Sequence, residues 1–150
     1  MTEARDIRTS VGGVDGSEAS VEALRQAQSL AVPFSATLVA LASWDVPPVY
    51  DGYVAIGIDD FDVRAAEILQ ETVEKAFGAD TPANVEPRLV QGHPRHSLIE
   101  ASRDADLVVV GRRGHGGFGG LLIGSVSSAL VAHAHCPVLV VHAPDVKAAK

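Results

Sequence analysis

A chain of 150 residues has the usual size of one domain, so a reading that needs two folded domains starts with little room. Hydrophobic residues at 47 % and charged residues at 21 % supply enough apolar surface to offset chain entropy, which excludes wholesale disorder. Twelve Lys and Arg face 19 Asp and Glu, and the formal charge of -7 repels phosphate backbones and anionic membranes, so neither nucleic acid nor a membrane is an expected partner.

The single cysteine, Cys136, allows no intrachain disulfide and no Cys-cluster metal site, and it suits a reducing compartment. The opening MTEARDIRTSVGG carries no apolar core of signal-peptide length, and no later apolar run reaches the roughly 20 residues of a membrane span. The cytoplasm is the expected location.

Thr9 to Val14 reads as a strand, and Asp15-Gly16-Ser17 as a turn that offers Ser17 as a helix N-cap. From Glu18, Ala23, Leu24, Ala27, Leu30 and Ala31 recur at helical spacing until Pro33. Thr37 to Trp44 is a nearly continuous apolar run, as expected of a strand buried on both faces of a parallel sheet. Residues 45–61, with Pro47, Pro48, Gly52 and Gly57 and no clean period, read as a long loop. Val63, Ala66, Leu69, Val73, Ala76 and Phe77 mark a second helix ending near Gly78, with Asp59, Asp60 and Asp62 as its capping cluster.

Val85 to Val90 reads as a third strand, and Pro87 places it at a sheet edge. Pro94 opens a short helix carrying Leu98, Ile99 and Ala101, and Asp106 introduces the strand Leu107 to Gly111. A glycine-rich loop follows, then a helix from Ser125 to His135 stopped by Pro137, and a closing strand Val138 to His142. The order β-α-β-loop-α-β-α-β-loop-α-β, without internal repeats, predicts an α/β fold: an open five-stranded parallel sheet with helices on both faces. In such sheets ligands sit outside the C-terminal strand ends where the strand order reverses, here after the first and fourth strands.

Seven of the 14 glycines fall between Gly111 and Gly124. Glycine permits positive φ and close backbone approach, so successive N–H groups can form an anion-binding concavity ending on a helix N-terminus. Charge points the same way: no Asp or Glu occurs from Leu107 to Pro144, whereas Arg112, Arg113 and His115 lie inside the loop. Ser125 and Ser127 add hydroxyl donors in the first helical turn. Phosphate is the expected occupant.

GHGGFG at Gly114 to Gly119, including Gly116, satisfies G-x-G-x-x-G, but it stands far from the first βα unit and lacks the acidic residue about 20 positions on that a dinucleotide site uses. Gly119 to Ser125 fits the Walker A spacing without its lysine. Neither motif is accepted. What fits is Gly111, two residues, Gly114, nine residues, then Gly124-Ser125.

This spacing resembles the nucleotide-binding signature of the universal stress protein family, and so do GVDGSEAS at Gly13 to Ser20, VQGHPRHSLIEAS at Val90 to Ser102 and CPVLVVH at Cys136 to His142. The resemblance implies a Rossmann-like fold of the HUP type, ATP binding with Mg²⁺, and a homodimer made by pairing the last strands. It implies Gly13 and Val14 against the adenine, Asp15 near the ribose or metal-phosphate region, Gly111, Arg112, Gly114, His115 and Gly116 along ribose and phosphates, and Gly124, Ser125, Val126 and Ser127 on the phosphates. Gly12 stands where the family usually has a branched apolar residue, which predicts a looser adenine end. Ala42 stands where many members have a histidine, leaving Ser43 or Trp44 to shape that wall.

Two further readings compete. SVGGVDGS at Ser10 to Ser17 resembles the S-G-G-x-D-S loop of adenylating and pyrophosphatase enzymes, but Val11 and Gly16 displace both hydroxyls from a phosphate cradle. A dimeric stress protein without nucleotide is the other. His133, His135 and Cys136 face different ways on a helix and make no metal site, and Trp44, Tyr50 and Tyr53 are read as packing residues. With no nucleophile–base pair of suitable spacing, the expectation is a regulatory binding module rather than an enzyme.

Overall fold

The computed structural model describes residues 6–45, 54–112 and 124–142; for residues 54–59 the backbone alone is described. β1 (Thr9–Val14) leads to α1 (Glu18–Ala31), a 3₁₀ turn (Val32–Phe34) and β2 (Thr37–Trp44). α2 (Val54–Phe77), β3 (Val85–Gln91) and α3 (Pro94–Ser102) follow, then β4 (Leu107–Gly111), α4 (Ser125–His133) and β5 (Val138–Val141). The strands form one five-stranded sheet in the order β3-β2-β1-β4-β5. All four pairings are parallel.

The alternation of the strands divides the core in two. Leu38, Ala40 and Val109 join Leu24 and Ala27 of α1 and Leu69 and Val73 of α2. Val11, Val39, Leu41, Val108 and Val110 join Leu98 of α3 and Leu130 of α4 on the opposite face. Each strand residue in turn serves one layer or the other, as a sheet covered on both faces requires. The expected α/β architecture is what the chain adopts.

Local chemistry sets the ends. Ser17 caps α1, its hydroxyl accepting from the Ser20 N–H at 3.1 Å. The Asp106 carboxylate accepts from the N–H groups of Arg8 (2.9 Å) and Thr9 (3.0 Å), tying the start of β1 to the start of β4. β3 lies at the edge, where Pro87 leaves no inner ladder short of a donor. β5 forms the other edge, paired with β4.

Three boundaries differ from expectation. α2 begins at Val54, so residues 54–61 are helix and not loop. Val54, Ile58, Phe61, Ala65, Ile68 and Leu69 continue the helical period, and over 24 residues that stripe outweighs the roughly 1 kcal/mol cost of Gly57. Asp59, Asp60 and Asp62 therefore lie inside the helix and do not cap it. α4 stops at His133, two residues early: Ala134 turns extended (ψ 154°) and the His135 N–H donates to Ser102 Oγ at 2.9 Å. β5 ends at Val141, one residue before His142.

Candidate functional site

β1 and β4 are neighbours at the centre of the sheet, and from them the chain runs outward in opposite directions, to β2 and β3 or to β5. Their C-terminal ends are the topological switch point of the fold. β1 brings Gly13, Val14 and Asp15 there, and β4 brings Gly111 and Arg112.

Close packing explains the glycines. A β-carbon at Gly111 would stand 2.5 Å from Ala19 Cβ and 3.1 Å from the Ala19 carbonyl carbon, so glycine lets β4 end against the first turn of α1. At Gly13 it would meet Val110 Cγ1 at 3.0 Å and Leu98 Cδ1 at 3.2 Å. At Gly12 a β-carbon would meet Leu24 Cδ2 at 2.6 Å. Leu24 occupies the space that a branched residue would fill, so this position is tightly packed.

The loop after β4 is closed at its base. The Gly124 N–H donates to the Arg112 carbonyl at 2.6 Å, and the Arg112 N–H to the Val141 carbonyl at 2.7 Å. Arg113, Gly114, His115 and Gly116 lie outside the described residues. α4 starts directly from this base, with Gly124 as an N-cap that offers no side-chain acceptor and with no acidic residue in the first turn. Among the described residues, its leading N–H groups and positive dipole end thus meet no side-chain cap.

Ser125 is exposed beside this helix end, whereas Ser127 is buried and donates its hydroxyl to the Gly111 carbonyl at 2.5 Å. Ser127 therefore joins α4 to β4, a role its position in the motif did not announce. Val126 is half-buried and packs on the α3/α4 core.

Asp15 is exposed at the end of β1; its Oδ1 accepts from the Ser17 N–H at 2.9 Å and the Ser17 hydroxyl at 2.5 Å. Gly16 takes φ +88° in this turn. At the end of β2, Ser43 Oγ is buried with no hydrogen-bond partner among the described residues. Trp44 is half-buried, and its carbonyl accepts from the Gly92 N–H at 2.8 Å. Tyr50 and Tyr53 fall outside the described residues. The Cys136 thiol is pushed above its ordinary pKa, first by partial burial and then by the Asp106 carboxylate, so it stays protonated and is a poor metal ligand.

A carboxylate at one strand end and a helix start at the next, side by side at the switch point of a parallel sheet, define an α/β protein with a polar end beside an anion-accepting one. Residues 7–142 match the model of the universal stress protein family, and the chain belongs to that family.

The chain is 30% identical over 138 residues to universal stress protein MJ0531 of Methanocaldococcus jannaschii, covering 87% of this chain and 79% of that one. It is 34% identical over 140 residues to universal stress protein Rv2623 of Mycobacterium tuberculosis, covering 89% of this chain and 47% of the relative. The chain thus spans about half the length of several mycobacterial relatives.

Among solved structures it is similar to universal stress protein UspA from Lactobacillus plantarum, with a TM-score of 0.75 at 24% identity over 92% of this chain and 99% of that one. A universal stress protein in complex with cAMP gives a TM-score of 0.67 at 30% identity, over 93% and 100% of the two chains. The fold is the Rossmann-like α/β fold of this family.

Proposed function

We propose that the chain is an ATP-binding regulatory protein that holds the nucleotide across the C-terminal ends of β1 and β4 and acts as a cytoplasmic homodimer. The observation that carries this reading is the uncapped start of α4, held to the end of β4 by the Arg112–Gly124 hydrogen bond in a stretch free of carboxylates. A helix start so placed stabilises phosphate. The similarity to a protein solved with cAMP supports an adenine nucleotide as the ligand class.

The donor set fits the parts of ATP. Gly124, Ser125 and Val126 would present backbone N–H groups, and Ser125 a hydroxyl, to the phosphates, with Arg112 adding positive charge at the loop base. Gly114, His115 and Gly116 are assigned to the same loop by their place in the motif. Asp15 would accept ribose hydroxyls or hold Mg²⁺ through water. Gly13 and Val14 would flank the adenine, and the Ser43 hydroxyl, without a partner among the described residues, would find a base edge there. Ser127 serves from behind by fixing α4 against Gly111.

We read the site as a binding module rather than a catalyst. The Ser127 hydroxyl is engaged by a carbonyl, and no His, Asp or Glu side chain hydrogen-bonds to Ser125 among the described residues. No helix among the described residues is long and apolar enough to cross a membrane. The dimer would form through the outer edge of β5, a short apolar strand whose other side is paired with β4.

The test is native mass spectrometry of the purified protein followed by calorimetric titration with ATP·Mg²⁺, repeated on Gly124→Glu. A dimer that binds ATP, with binding lost in a variant still folded by circular dichroism, is the expected result. Unchanged affinity in Gly124→Glu overturns the phosphate assignment, and a monomer at micromolar concentration overturns the dimer.

A further inference from the structure

A groove of about 610 Å³ runs between α3 and α4, and apart from Ser125 its lining has no part in the nucleotide reading. It begins at Ser125, passes Ser128, and reaches His133 at the far end of α4, a run of roughly 12 Å at 1.5 Å per residue. From α3 it receives His93, Arg95 and His96. The groove is open to solvent, and its polar side chains are exposed along it.

The charge of the lining is unlike that of the protein as a whole. The chain carries -7, yet no carboxylate lines the groove among the described residues. Arg25, Arg64, Arg88 and Arg103 each pair with a glutamate, but Arg95 makes no ion pair among the described residues. His93 caps α3 by accepting the Arg95 N–H on Nδ1 at 3.1 Å, which places the proton of its neutral ring on Nε2 as a donor. His96, His133 and the Ser128 hydroxyl add further donors. Between these polar groups Ile99 and Ala129 are half-buried and supply an apolar floor.

We propose that this groove is a second ligand site that takes a small phosphate monoester, its phosphate on Arg95 and the histidines and its organic body on Ile99 and Ala129. A guanidinium without a carboxylate partner, among neutral and cationic donors, matches a phosphate by fork geometry and charge. The half-buried Ile99 and Ala129 beside the donors select a small ester over a bare ion. The site meets the nucleotide cradle at Ser125 and runs away from it along α4, so occupancy of both would place two anions along one helix.

The test is a titration of the protein with phenyl phosphate, followed by NMR of the histidine rings and the arginine side chains, with and without ATP·Mg²⁺. Inorganic phosphate and phenol serve as comparison probes. Saturable shifts at His96, His133 and Arg95 are expected with phenyl phosphate, weaker ones with inorganic phosphate, and none with phenol. Arg95→Gln, an exposed position, should weaken binding roughly tenfold while leaving ATP affinity unchanged. Ala132→Glu, which puts a carboxylate into the exposed lining, should abolish it.

Shifts that do not saturate, or that persist equally in both variants, overturn the site. Shifts confined to the amides of Ser125 to Ser127 and removed by ATP·Mg²⁺ place the probe in the nucleotide cradle and also overturn it. Equal affinity for inorganic phosphate and phenyl phosphate overturns the role of the apolar floor.

Discussion

Gly111 and Ala19 are pressed together so closely that a β-carbon on Gly111 would come within 2.5 Å of the Ala19 Cβ. The contact joins the end of β4 to the first turn of α1, the two elements that border the proposed nucleotide site. Gly111→Ala should therefore destabilise the protein by about 1–3 kcal/mol through overpacking, because part of what the new methyl meets is helix backbone. Urea unfolding measures the loss. Calorimetry should show weaker ATP binding in the same variant, since α1 and β4 must separate to relieve the clash.

The two motif serines should behave oppositely. Ser127→Ala strands the Gly111 carbonyl without its donor in a buried setting and should cost about 1–3 kcal/mol of stability. Ser125→Ala removes an exposed hydroxyl and should leave the unfolding midpoint nearly unchanged while lowering ATP affinity. Equal stability losses in the two variants would contradict the division of labour drawn from the geometry.

Ser10 provides a test in the opposite direction. Its hydroxyl is buried in β1 with no hydrogen-bond partner among the described residues. Ser10→Ala removes an unsatisfied polar group and should raise stability by about 1 kcal/mol. A drop in the thermal midpoint would show that the hydroxyl has a partner in solution, such as an ordered water.

Cys136 should react slowly. Its thiol pKa is raised by burial and by the Asp106 carboxylate, so at pH 8 a smaller share is thiolate than in a free cysteine. Iodoacetamide should alkylate it more slowly than it does cysteine in an unstructured peptide. The rate should keep rising with pH beyond the point where the peptide's rate levels off, because a raised pKa moves deprotonation to higher pH. Removing the charge in Asp106→Asn should shift the profile back toward lower pH.

Much of this fold is legible in one dimension because its signals are local. The apolar run Thr37 to Trp44 has one compatible setting, a strand covered on both faces, and Leu38 through Ala42 are all buried. Pro87 cannot donate to a ladder, and β3 lies at an edge. The spacing from Gly111 to Gly124-Ser125, with no carboxylate near it, marks the region where β4 and α4 meet without needing their coordinates.

The start of α2 is less legible, because Gly57 and the neighbouring prolines and glycines break the pattern locally while a helix is stabilised over its whole length and by its packing. What only the tertiary structure decided are relations between distant segments. Leu24 fills the space beside Gly12, Ala19 explains Gly111, and Ser127 turns its hydroxyl to the Gly111 carbonyl. The groove between α3 and α4 assembles His93, Arg95, His96 and His133 from segments about 40 residues apart. Period and composition report what each segment can bury, but which atoms meet is set by the packing of helices on the sheet, where a single β-carbon decides whether two backbones can approach.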